Sequence, residues 1–234
     1  MKLDVLAFGA HPDDVELFCG GLILKLKSQG KSVGIIDLTR GEMGTRGTPE
    51  IRLREAANAA EILKLDVREN GNLPDGDLKV DAESKKVVIN FIRKYKPEIV
   101  ISPFWEDRHP DHVYASRLVS ASFFYSGLKR VKTDWEEYRP KSLIYYFQHE
   151  VGKPSFVADI SKEFETKLKA VKSYTSQFFN PKSEEPNTFI SQPEFLDSVV
   201  TRAKYFGFQI GVEYGEPFFV KSAIKIDNIF DIFA

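Results

Sequence analysis

The stretch LDVLAFGAHPDD, residues 3–14, decides how this chain folds. LDVLAFG is a short apolar run ending at Gly9, which is how a buried strand reads. A helical pattern follows over 15–29 and stops at Gly30, a residue suited to a helix C-terminus. The same alternation then recurs. VGIIDL at 33–38 is a second strand, and TRGEMGTRGT at 39–48 is a glycine-rich loop. Thr48-Pro49 is an N-cap followed by proline at the first helical position. A helix is therefore expected over 49–64, with Ile51, Ala56, Ala59, Ala60 and Leu63 on or near one face. Val67–Asn70 reads as a short strand and NLPDGD at 72–77 as a turn. Asp81 caps a helix that runs to Tyr95 and ends before Pro97, with Val88, Phe91, Ile92 and Tyr95 facing inward. EIVISPF at 98–104 is a further strand, WEDRHPD a loop, and 112–125 a helix. This alternation predicts an α/β fold: a Rossmann-like, open, mostly parallel sheet with helices on both faces and the early strands central.

The second half is less regular. LIYYF at 143–147 is a strand, Ser161–Ser173 a helix with SKEF as its capping start, and 194–209 another helix after a loop marked by Pro181, Pro186 and Pro193. Residues 212–230 mix strand and turn signals. One domain is expected over 1–234, with 1–125 as its regular α/β core and 126–234 completing it. A 42% hydrophobic content over that length supports one sizeable core. No repeat or low-complexity segment interrupts it. The 34 acidic and 33 basic residues nearly cancel, so no nucleic-acid surface is expected. The lone Cys19 rules out an internal disulfide and reads as a core residue. The apolar opening is too short for a signal peptide and no run is long enough to span a membrane, so a cytoplasmic location is expected.

AHPDD at 10–14 follows the first strand directly, and open parallel sheets build their sites at the carboxyl ends of strands. Imidazole and carboxylate are both zinc ligands. The spacing lets His11 and Asp14 face one ion while Asp13 turns toward its water, and Pro12 restricts the turn. Alone, the same residues also fit an Asp cap at a helix start. DRHPDH at 107–112 follows another strand and holds two of the chain's four histidines; alone, it fits a turn and a cap. If both strands are central and parallel, His11, His109 and His112 share one cleft with Asp13, Asp14 and Asp111. Two histidines from separate segments plus one carboxylate make a catalytic zinc set with an open position. Iron(II), cobalt or manganese would accept the same donors. His149 fits either a cleft-lining or a structural position. Tyr145, Tyr146 and Phe147 read as sheet residues, and Tyr174 or Gln177 as polar contacts. Gly41, Gly44 and Gly47 are followed by no Walker lysine, so a nucleotide site is not expected.

FGAHPDD, DLTRGE, RLREA, LPDGDL, DRHPDH, KSYTSQF and GVEYGEPFF, spread from residue 8 to 219, resemble the zinc-dependent N-acetylglucosaminyl deacetylase family. The resemblance is closest to the branch that acts on N-acetylglucosaminyl-L-malate in bacillithiol synthesis. FCGG at 18–21 departs from the pattern, at a place that bears on packing. The resemblance implies that His11, Asp14 and His112 hold zinc and that Asp13 is the general base. It implies that His109 stabilises the oxyanion or protonates the leaving amine, with Asp111 hydrogen-bonded to it. Arg52 would reach the substrate, and Asp75 a sugar hydroxyl. Arg40, Arg46 and Arg54 fit either a carboxylate pocket or a solvated basic face. The substrate implied is a small N-acetyl amino-sugar conjugate, with a chitin oligosaccharide as the alternative. A non-catalytic metal-binding module would have no need of Asp13. The family also implies a homo-oligomer, some members being hexamers; segments 123–147 and 217–233 fit an interface or the core equally well.

Overall fold

The computed structural model of the chain describes residues 1–228 and 230. Strand β1 (Val5–Gly9) is buried at every position. It pairs in parallel with β2 (Val33–Asp37) on one side and with β4 (Ile99–Pro103) on the other. The strand β3 (Val67–Asn70) lies beyond β2, and β5 (Ser142–Tyr146) beyond β4, both parallel. Two later strands complete the sheet. β7 (Gly215–Val220) runs antiparallel beside β5, and β6 (Phe156–Asp159) pairs antiparallel with β7 at the edge. The order is β3-β2-β1-β4-β5-β7-β6.

Alternation along β1 explains the two layers of helix. Val5 and Ala7 join one core with α1 (Asp14–Ser28), α2 (Pro49–Leu63), α5 (Phe164–Lys172) and α6 (Pro193–Gln209). Leu6 and Phe8 point the other way, into a core with α3 (Ala82–Tyr95) and α4 (Pro110–Tyr125). Successive side chains of a strand face opposite sides, so a strand covered on both faces must be apolar throughout. Cys19 is fully buried in the first core.

The connections also fix where a site can form. From β1 the chain moves outward to β2 and β3, then returns across to β4 on the opposite side of β1. The loops leaving β1 and β4 diverge there and open a crevice at the carboxyl ends of the strands. They are the loops that carry AHPDD and DRHPDH.

Several elements differ from the sequence expectation. β6 was not anticipated. The helix expected from Ser161 begins at Phe164: the Ser161 hydroxyl donates to Asp159 Oδ1 at 2.7 Å, and Glu163 makes no side-chain cap. α4 starts two residues early, because Pro110 takes the first helical position and His109 the cap. Of the segment 217–233, residues 217–220 lie in β7, while 229 and 231–233 fall outside the described residues. No helix among the described residues is long and apolar enough to cross a membrane.

Candidate metal centre

Both motifs sit at helix starts, but only one of them caps. Asp13 precedes α1 with φ 112° and ψ −25°, and its side chain makes no capping bond. Its carbonyl instead accepts from Leu17 N–H at 3.0 Å. A non-glycine residue in that left-handed region costs about 1–3 kcal/mol and persists only when its surroundings hold it. Arg52 supplies part of that hold. Its Nη2 donates to the Pro12 carbonyl at 2.6 Å and lies 3.4 Å from Asp13 Oδ2. The Asp13 carboxylate is thus kept off the helix and lines a cavity of about 240 Å³. At α4, by contrast, His109 Nδ1 accepts the Asp111 N–H at 3.2 Å and caps the helix.

His11, Asp14 and His112 offer ligand atoms within 4.8 Å of one another, all buried. His11 Nδ1 is 3.7 Å from Asp14 Oδ2, and His112 Nε2 is 3.3 Å from Asp14 Oδ1. The outer nitrogens are already taken. His11 Nε2 faces Asp75 Oδ1 at 3.0 Å and Asp111 Oδ2 at 3.4 Å, while His112 Nδ1 faces Asp107 Oδ1 at 2.8 Å. A carboxylate on the far nitrogen is what orients a metal-binding imidazole and raises its basicity. Gln148 Nε2 donates to Asp14 Oδ1 at 3.0 Å and steadies the third ligand. Two other clusters, His11 with His109 and Asp111, and Asp107 with His112 and His149, are comparably close. In each, a carboxylate is already engaged with an imidazole nitrogen of its own cluster: Asp111 with His11 Nε2, and Asp107 with Nδ1 of His112 and of His149. Two imidazole nitrogens and a carboxylate oxygen, with the outer nitrogens pinned, fit a divalent metal with an open position.

Charge follows from burial and these neighbours. Burial pulls the His11 pKa down, but hydrogen bonds to Asp111 and Asp75 overcome it and raise it to about 10. His112 is raised to about 9, burial being outweighed by Asp14 and Asp107. Burial drives Asp13 the other way, up to about 7, against the pull of Arg52. Burial also opposes the charge on Asp14, but His112 and His11 hold its carboxyl well below the usual range. Burial and the neighbouring His11 and His112 lower His109. In metal-free protein the surrounding carboxylates therefore favour the protonated forms of His11 and His112.

The cavity is lined by His11, Asp13, Asp14, Arg52, Asp75, His109 and His112, which the sequence singled out, and by Arg108 and His149. Asp111 departs from its expected contact. Its carboxylate accepts from Gly76 N–H at 2.7 Å and faces His11, and the contact with His109 is made by its backbone N–H. Both oxygens of Asp75 are engaged, one with His11 and the other accepting from Met43 N–H at 2.8 Å. Arg46 is buried and donates to the carbonyls of Ser176, Glu185 and Pro186, a structural position. Tyr174 donates to Glu16 in a buried network with Arg68 and Asp37. Asp107 and Gln148 were missed. The only available signal for Asp107 was its place at the head of DRHPDH; Gln148, just past a strand end, gave none.

A buried His/Asp/His triad beside a further buried carboxylate that caps no helix, in the crevice of a parallel sheet, defines a metal-dependent hydrolase. Residues 6–123 match the family described as PIG-L, GlcNAc-PI de-N-acetylase, and the chain belongs to this family. De-N-acetylation cleaves an amide, so the centre is that of a metal-dependent amidohydrolase. The chain is 33% identical, over 74% of its length and 70% of the relative, to the diacetylchitobiose deacetylase of Thermococcus kodakarensis. It is 30% identical, over 76% of its length and 84% of the relative, to the probable N-acetyl-alpha-D-glucosaminyl L-malate deacetylase 2 of Bacillus cereus. The crystal structure of the conserved protein TT1542 from Thermus thermophilus superposes with a TM-score of 0.88 at 38% identity, covering 96% of this chain and 97% of that one.

Proposed function

We propose that this chain removes the acetyl group from a small N-acetylglucosaminyl conjugate, N-acetylglucosaminyl-L-malate first, with zinc held by His11, Asp14 and His112. The observation that carries the reading is Asp13. It is a buried carboxylate beside the triad, unused as a cap and facing the cavity, where a general base must stand.

Zinc, when bound, polarises the acetamide carbonyl and acidifies a water molecule. Asp13 takes the proton from the attacking water as the C–O bond forms. Arg52 holds Asp13 and the strained turn, and from the cavity wall it is in reach of the substrate. His109 accepts the Asp111 N–H at Nδ1, so its neutral ring carries hydrogen on Nε2. That N–H suits an oxyanion donor. As the C–N bond breaks, the amine takes a proton from Asp13, now protonated, or from His109, and acetate leaves. Asp111 and Asp75 set the direction of His11, and an Asp75 lone pair is the contact for a sugar hydroxyl. For the malyl carboxylates the cavity offers Arg108, exposed at its rim with the guanidinium 3.9 Å from the Phe189 ring centre. The similarity to a diacetylchitobiose deacetylase supports that disaccharide as the second substrate to try.

The test is amine release from N-acetylglucosaminyl-malate, diacetylchitobiose and N-acetylglucosamine, with chelation and zinc add-back. Zinc-restored activity favouring the malate conjugate is expected. Preference for the disaccharide would keep the chemistry and replace the substrate. No release from any of them by zinc-loaded protein would overturn the reading.

A further inference from the structure

All four histidines of the chain meet at this centre, and the deacetylation scheme leaves His149 unused. It lies just beyond β5, outside both motifs. Asp107 fixes it: Oδ2 accepts the His149 backbone N–H at 2.8 Å, and Oδ1 lies 3.3 Å from its Nδ1. The same Oδ1 is 2.8 Å from Nδ1 of His112. One carboxylate therefore holds two histidines with hydrogen on Nδ1. Their rings stack almost parallel, with centroids 5.7 Å apart and planes at 4°. For His112 that tautomer leaves the Nε2 lone pair to the metal. For His149 it leaves a lone pair on an Nε2 that is buried and has no hydrogen-bond partner. Such an atom calls for an explanation, and because His149 lines the cavity a ligand bound there can supply it. His149 also lines the metal cavity, with the rings of Phe18 and Phe189 in T-shaped contact with it, centroids 5.6 and 6.2 Å away.

We propose that His149 Nε2 accepts a hydrogen bond from a hydroxyl of the sugar whose acetamide the centre cleaves; this rests on the deacetylase reading above. An acceptor lone pair selects a group with a hydrogen to give. A carbonyl or carboxylate oxygen would meet it lone pair to lone pair, so His149 reads the sugar ring and not an acidic aglycone. Phe18, which lines the same cavity, adds apolar surface beside His149 for the C–H groups of such a ring.

Two variants separate this role from a merely structural one. His149→Asn keeps a donor where Nδ1 stands and removes the group at Nε2; His149→Gln places an amide near the Nε2 position. With His149→Asn, kcat/KM is expected to fall about 3–10-fold, the size of one lost neutral hydrogen bond, mainly through KM and with metal content unchanged. His149→Gln should recover most of it. On substrates lacking one sugar hydroxyl at a time, the wild type should lose a similar factor for one analogue, to which His149→Asn is indifferent. An Asn variant with wild-type kinetics on every analogue overturns the proposal. So does a fall in activity matched by a fall in metal content, which would make His149 a prop for His112. Wild-type protein that is metal-loaded yet inactive on every N-acetyl sugar overturns the deacetylase reading, and this proposal with it.

Discussion

Replacing Asp107 by asparagine should damage the metal site without touching a ligand. The Asp107 side chain is 1% exposed, and each oxygen has its own set of donors. Oδ1 accepts from His109 N–H at 2.9 Å and serves the Nδ1 atoms of His112 and His149. Oδ2 accepts from His149 N–H at 2.8 Å. An asparagine has only one acceptor oxygen. Placed at Oδ1, it turns an NH2 group against the His149 N–H, donor against donor. Placed at Oδ2, it presents NH2 to His112 Nδ1, which must give up its hydrogen and move it to Nε2, the atom needed by the metal. Either arrangement weakens the site. Loss of such a partner lowers metal affinity about 10–100-fold, or about 1.4–2.7 kcal/mol. Competition against a chromophoric chelator at pH 7.5 measures it, with circular dichroism to verify the fold and Asp77→Asn, at an exposed ion pair with Lys79, as control. Wild-type metal affinity in Asp107→Asn would refute the role given to this carboxylate.

Other consequences follow from the same contacts. Asp13→Asn should lower amine release about 10²–10⁴-fold while metal content stays full; loss of metal in parallel would move Asp13 into the ligand set. In metal-free protein His11 and His112 have folded-state pKa values raised from 6.5 to about 10 and about 9. A raised histidine stabilises the fold fully below its unfolded value and loses that contribution as pH rises through the folded one. The melting temperature of metal-free protein should therefore fall between about pH 7 and 10, metal binding should release protons, and affinity should climb from pH 6 to 8; a pH-independent affinity by calorimetry would contradict this. Away from the site, Glu216 is buried and accepts from Lys167 Nζ at 2.7 Å and from the N–H groups of Gly21 and Leu22 at 2.9 and 2.8 Å. Glu216→Ala strands a buried ammonium and should cost about 3–5 kcal/mol by urea denaturation; a change under about 1 kcal/mol would show that Glu216 is not holding α1 and α5 to β7.

How much of this was legible depends on whether a feature is written locally. β1, β2 and β4 are covered on both faces, so each is an apolar run, and their order along the chain implies the parallel sheet and its crevice. β6 carries no such mark. Its four residues, FVAD, are half-buried, and they become a strand because β7, more than fifty residues later, supplies the hydrogen bonds. The start of α4 was legible in principle, since Pro110 has no N–H to lose at the first helical position.

The ligands were readable from spacing, and their supporting carboxylates were not. DRHPDH holds two aspartates, and nothing in the hexapeptide says which histidine each one serves. The helix decides. Adjacent residues of an α-helix point about 100° apart, so a first turn that sends His112 toward Asp14 sends Asp111 to the other side. There it meets Gly76 N–H and the Nε2 of His11. His109, as the cap, has already given its Nδ1 to the Asp111 backbone, so that nitrogen has no room for the carboxylate bond suggested by the family resemblance. Asp107, still ahead of the helix, folds back instead and takes His112 together with His149. The chemistry is written in residue types, but which carboxylate tunes which ligand is set by the phase of one helical turn.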